Sequence, residues 1–155
     1  MGAVYFYHLT RQSIETALLK LLEKALEQGW RVEVRMSNEC RLSWLDEKLW
    51  LGPDETFLPH GIEGGEHDDL QPILLTTHPT KNVQCVMSVE GAEISPSEIF
   101  QKERVCILFD GNIPEDVDTA RRNWKSLVEA GCEASYWSEE SGRWKKNAEV
   151  NTTLD

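Results

Sequence analysis

The sequence contains no run of about 18 uncharged apolar residues, so no membrane-crossing helix is expected. No basic segment precedes Val4-Tyr5-Phe6-Tyr7, and His8 and Arg11 interrupt the apolar start early. A secretory leader is therefore not expected, and a cytoplasmic location is. Myristoylation at Gly2 is not expected either, because Phe6 stands where Ser or Thr belongs. Basic residues are scarce: 16 Lys and Arg against 27 Asp and Glu give a formal net charge of −11. Such a body repels nucleic-acid phosphates and anionic lipid surfaces, so nonspecific binding to either is not expected, and the charge does not identify the partner. Cysteine is sparse too. Cys40, Cys85, Cys106 and Cys132 form no Cys-x-x-Cys pair, which predicts reduced, buried thiols rather than disulfides or zinc ligands.

The placement of glycine excludes further chemistry. Neither Gly-x-Gly-x-x-Gly nor a Walker-type Gly-Lys-Ser/Thr loop occurs, and the first turn, His8-Leu9-Thr10-Arg11-Gln12-Ser13, has no glycine. A pyrophosphate needs bare backbone at that turn, so a dinucleotide or nucleoside triphosphate site is not expected. No Gly-x-Ser-x-Gly elbow is present. His67-Asp68-Asp69 beside Gly64-Gly65-Glu66 reads as a solvated acidic loop rather than a metal site. His60 caps or packs the turn after Phe57-Leu58-Pro59, and His8 and His78 belong to no constellation. No catalytic residue, metal or cofactor is expected.

What the chain does contain is alternating strand and helix patterns. Val4–Leu9 is β-branched and aromatic and predicts a buried strand. Thr10 or Ser13 caps a helix whose stripe is Ile14, Ala17, Leu18, Leu21, Leu22, Ala25 and Leu26, stopped by Gly29. Trp30–Met36 alternates as a second strand, which predicts a βαβ unit with parallel pairing. Ser37 or Asn38 caps a helix to Trp50, with Cys40, Trp44, Leu45 and Leu49 inward, ended by Gly52-Pro53. Glu55–Asp69 reads as an exposed loop. Further strands are expected at Pro72–Thr77, Gln84–Val89, Arg104–Phe109 and Ala134–Trp137, with a helix from Pro114 to Ala130. The expected architecture is an α/β, three-layer Rossmann-like sandwich with a mainly parallel central sheet and helices on both faces. One domain over residues 1–140 is expected, followed by a polar tail, 141–155, that frays from Lys145 onward.

Two clusters stand out. Arg121-Arg122-Asn123-Trp124-Lys125 reverses the local sign of charge, and the helical i, i+3, i+4 spacing gives Arg121, Trp124 and Lys125 one face. Such a face suits a terminal carboxylate and its apolar side chain, with the indole as a wall. It equally suits a solvated cationic helix with Trp124 packed inward. Trp44, Trp50, Pro53, Phe57 and Pro59 form either a docking patch or the staple that closes the core.

These clusters carry a resemblance. Phe6-Tyr7, Leu45-Asp46-Glu47-Lys48-Leu49-Trp50, Pro53, Phe57-Leu58-Pro59-His60 and Pro72-Ile73-Leu74-Leu75 occur in order. Leu108-Phe109-Asp110, Ala120-Arg121-Arg122-Asn123-Trp124-Lys125, Ala130-Gly131 and Tyr136-Trp137 follow. Over about residues 3–138 the chain thus resembles the chi-subunit family of bacterial DNA polymerase III. The resemblance implies a non-catalytic replication subunit of the clamp-loader assembly. It implies that Arg121, Trp124 and Lys125 receive the acidic, Phe-terminated tail of single-stranded DNA-binding protein. Trp124 stands where a tyrosine is familiar in that family. Trp50, Pro53 and Phe57 match a surface that meets the psi subunit, where a lineage has one, or a helicase-like partner. The loop around Gly61–Asp69 and the tail after Trp137 depart from the familiar pattern. From fold analogy alone, the alternative is a small α/β enzyme acting on a nucleotide or phosphate.

Overall fold

A computed structural model describes residues 3–10, 13–50, 60–62, 72–78, 83–89, 91–92, 94–140 and 143–150. The elements are β1 Ala3–Leu9, α1 Ile14–Glu27, β2 Val32–Arg35, α2 Glu39–Trp50, β3 His60–Ile62 and β4 Ile73–Thr76. They continue with β5 Cys85–Ser88, α3 Pro96–Gln101, β6 Arg104–Asp110, α4 Pro114–Glu129, β7 Glu133–Glu140 and β8 Arg143–Val150. The strands form one sheet in the order β3-β4-β2-β5-β6-β1-β7-β8. Every pairing is parallel except the antiparallel β7–β8 hairpin.

Period-two alternation sorts the strand residues between two cores. On one face Tyr7, Leu9, Val34, Leu75, Met87 and Leu108 pack under α1 and α2, which contribute Leu18, Leu22 and Leu45. On the other, Val4, Phe6, Val86, Val105, Ile107 and Phe109 pack under α3 and α4, which contribute Ile99, Ala120 and Leu127. The expected three-layer α/β sandwich is therefore what the chain forms. Ser13 is the cap of α1, its hydroxyl accepting from Thr16 N at 3.2 Å. Gly131, with φ of 94°, ends α4 in a left-handed conformation that a side chain would strain.

Several expectations need correction. β1 and β2 are parallel but not neighbours, because β5 and β6 lie between them. β6 matches β1 over seven residues, from Ala3↔Arg104 to Leu9↔Asp110, a longer ladder than four-residue β2 can supply. β2 does not alternate buried and exposed; all four residues are buried, including Glu33 and Arg35. Arg35 Nε donates to Glu33 Oε2 at 2.5 Å and Nη2 to Glu98 Oε2 at 2.6 Å, so a charge cluster sits under α3. Burial opposes charge on Arg35, yet the two carboxylates prevail and hold its pKa above the ordinary value. Cys40 is exposed rather than inward, its N–H donating to Asn38 Oδ1 at 2.8 Å; Cys85, Cys106 and Cys132 are buried.

The region read as an exposed loop contains β3, and the segment read as fraying forms β8 through Val150. Trp144, Ala148 and Val150 are spaced there among polar residues, and lysines are ordinary on an edge strand. The short helix α3 was not anticipated. Its signature is Ser95-Pro96-Ser97-Glu98, a capping box in which Ser95 Oγ accepts from Glu98 N and Glu98 Oε1 from Ser95 N.

A half-buried aromatic corner beside a cationic helix face

α4 begins with Pro114 in its first turn and lies over β6 and β7. Ala120 and Leu127 are its buried residues, and this anchors the face next to Trp124. Trp124 is half-buried: its ring meets Phe6 edge-on at a centroid distance of 5.4 Å and Tyr136 at 6.0 Å. The indole packs against the core while one side remains open.

Arg121 and Lys125 are exposed, and among the described residues neither makes an ion pair. Arg122 donates to Thr119 Oγ1 at 3.1 Å instead. The structure thus brings Arg121, Trp124 and Lys125 to one flank of α4. The opposite flank, with Asp116, Thr119 and Asn123, borders a cavity of about 460 Å³.

His8, for which the sequence offers no constellation, is not isolated in the structure. Its Nδ1 lies 2.7 Å from Tyr136 Oη, and its ring packs 5.1 Å from Phe109. The β6–α4 turn closes over it: a Cβ on Gly111 would lie 2.0 Å from His8 Cδ2, so only glycine fits. Gly111 N–H donates to Leu9 O at 2.6 Å and Asn112 Nδ2 to Thr10 O at 3.1 Å, tying the turn to the end of β1. Burial and then Arg121 push the His8 pKa down against its hydrogen bond with the Gly111 backbone and the nearby Asp110. Burial raises the Tyr136 pKa, and Arg121 opposes that. Arg121 therefore projects its field into the corner formed by His8 and Tyr136. The signal for this corner was register. Phe6 aligns with Tyr136 across β1 and β7, a pairing between segments 130 residues apart that local pattern does not encode.

The second cluster is only partly in view. Trp50 ends α2, on the sheet face opposite α4, while its side chain, Pro53 and Phe57 lie outside the described residues. Trp44 packs half-buried against the α1–α2 core, with the Arg41 guanidinium 4.0 Å above its ring. Among the described residues no group of His, Cys, Asp and Glu could hold a metal, and no helix is long and apolar enough to cross a membrane.

The model of the family described as DNA polymerase III chi subunit, HolC, matches residues 1–135. The DNA polymerase III subunit chi of Pseudomonas aeruginosa is 38% identical over 56 residues, which is 36% of this chain. That match spans 38% of the Pseudomonas protein's own length. The fold, the ordered landmarks and the family match agree: this chain belongs to the DNA polymerase III chi subunit family.

Proposed function

We propose that the chain is a non-catalytic accessory subunit of the DNA polymerase III holoenzyme in replication. It links the clamp loader and polymerase to single-stranded DNA-binding protein by holding that protein's acidic C-terminal tail, and it meets DNA only through that partner, in the cytoplasm. Family membership supports the replication role. The observation that carries the site is the pair of exposed cations, Arg121 and Lys125, flanking half-buried Trp124 without an ion pair among the described residues. A guanidinium and an ammonium can hold a carboxylate while the indole takes the apolar side chain beside it. Each charge-assisted hydrogen bond contributes roughly 1.5–3 kcal/mol. After ordering costs this points to micromolar affinity, about −8 kcal/mol. Trp50, Pro53 and Phe57 are proposed as the surface for a psi subunit or helicase-like partner.

The rival reading is a nucleotide- or phosphate-utilising enzyme. Its one favourable observation is the position of the 460 Å³ cavity at the carboxyl ends of β5 and β6, where such folds bind ligands. The lining opposes it. Glu15, Asp110 and Asp116 face that space against a single Arg41, a charge balance that repels phosphate.

The test is titration of a labelled Asp- and Glu-rich peptide ending in Pro-Phe. Wild type binds with micromolar Kd, weakening as salt rises, and Arg121→Ala with Lys125→Ala loses the interaction. Unchanged affinity in the double variant rejects the site, and no binding by wild type rejects the function.

A further inference from the structure

We infer that His8, held by Tyr136, is a specificity-determining member of this same corner, and that seating a chain-terminal carboxylate beside Arg121 is coupled to protonation of its imidazole. The inference rests on the tail-binding reading of α4 and adds two residues that α4 does not contain.

The geometry supplies the coupling. His8, the next-to-last residue of β1, lies on the same sheet face as Val4 and Phe6 and is half-buried between Phe109 and Tyr136. In the tautomer that carries its N–H on Nε2, the neutral imidazole accepts the Tyr136 hydroxyl at Nδ1, 2.7 Å away. The tyrosine O–H is then consumed inside the protein. Protonating Nδ1 from solvent reverses that bond: Nδ1–H donates to the Tyr136 oxygen, and the phenolic hydrogen is released toward whatever lies outside. The same proton adds a positive charge beside Arg121. Both changes favour an anion, and both are opposed while the site is empty, because burial and Arg121 disfavour the imidazolium.

The charged and titratable groups acting on His8 among the described residues are Arg121 from α4, Asp110 from β6 and Tyr136 from β7. Asp110 favours the proton, and Arg121 opposes it until a bound carboxylate offsets its charge. Binding therefore draws a proton onto His8, and by linkage a lower pH tightens binding. The ligand is an acidic peptide with a free C-terminal carboxylate. Its own carboxyl groups titrate near pH 3–4, well below the window concerned.

The experiment measures the Kd of the Asp- and Glu-rich Pro-Phe peptide at pH 6 and pH 8 for the full chain and for His8→Gln, together with the amidated peptide on wild type. Expected is binding about three- to tenfold tighter at pH 6 for wild type with the free-acid peptide, and no pH dependence for His8→Gln or for the amidated peptide. NMR titration of the wild-type His8 imidazole, free and peptide-bound, reports the same coupling without a substitution, as a rise in its pKa on binding. A pH-independent wild-type Kd, a slope retained in His8→Gln, or an unmoved imidazole titration overturns the inference while leaving the tail site standing. Absence of wild-type binding at both pH values overturns the tail site and the inference with it.

Discussion

Phe6 and Tyr136 lie directly opposite each other on neighbouring parallel strands, their rings stacked at 6.3 Å with an interplanar angle of 16°. Trp124 meets both edge-on, so one aromatic triad joins β1, β7 and α4. The indole is therefore fixed by the core before any ligand arrives, and a partner meets a pre-formed wall rather than a mobile side chain.

Removing that wall affects two properties at once. Trp124→Ala is expected to lower stability by about 2–3 kcal/mol, less than for a fully buried tryptophan because the ring is half-exposed. It is also expected to abolish peptide binding, whereas Trp124→Tyr retains most of both. Chemical denaturation and the peptide titration check the pair.

The Arg35–Glu98 contact sets a pH dependence of stability. Burial raises the Glu98 pKa, but the bonds from Arg35 prevail and hold it below the usual 4.5. A depressed carboxylate stabilises the fold above its unfolded pKa, and that contribution is lost as pH falls through the folded value. Glu98→Gln keeps an oxygen for the Ser95 cap and removes the charge. It is expected to cost about 1.5–3 kcal/mol at pH 7, with the gap to wild type closing below pH 4.5. Urea unfolding across pH 3–7 reads this directly.

Cysteine reactivity follows burial. Cys40 is exposed, whereas Cys85, Cys106 and Cys132 are buried, and burial raises the Cys132 pKa. A thiol-specific reagent is expected to modify Cys40 first in the native protein and all four after denaturation. Mass spectrometry of the labelled peptides identifies the order.

Much of this architecture was legible because α1 and α4 carry a helical period, while β1 and β6 are seven-residue runs dominated by β-branched, aromatic and other apolar side chains. Short or unusually buried elements were not. α3 is six residues long, too short for a helical stripe, and only its capping box announced it. β2 disguised itself as half-exposed, since Glu33 and Arg35 neutralise each other indoors. β8 was hidden by lysines suited to an edge. At the site, Arg121, Trp124 and Lys125 could be grouped from helical spacing alone. His8 and Tyr136 could not, because their meeting depends on strand order, which no local pattern records.

The central claim concerns where an acidic chain end settles, and amide and indole chemical-shift mapping of isotopically labelled protein with the Asp- and Glu-rich Pro-Phe peptide locates it. Saturable shifts centred on Arg121–Lys125, the Trp124 indole N–H and Tyr136 are predicted. Shifts confined to the cavity beside Arg41 and Trp44, or none on α4 at saturation, would contradict the account.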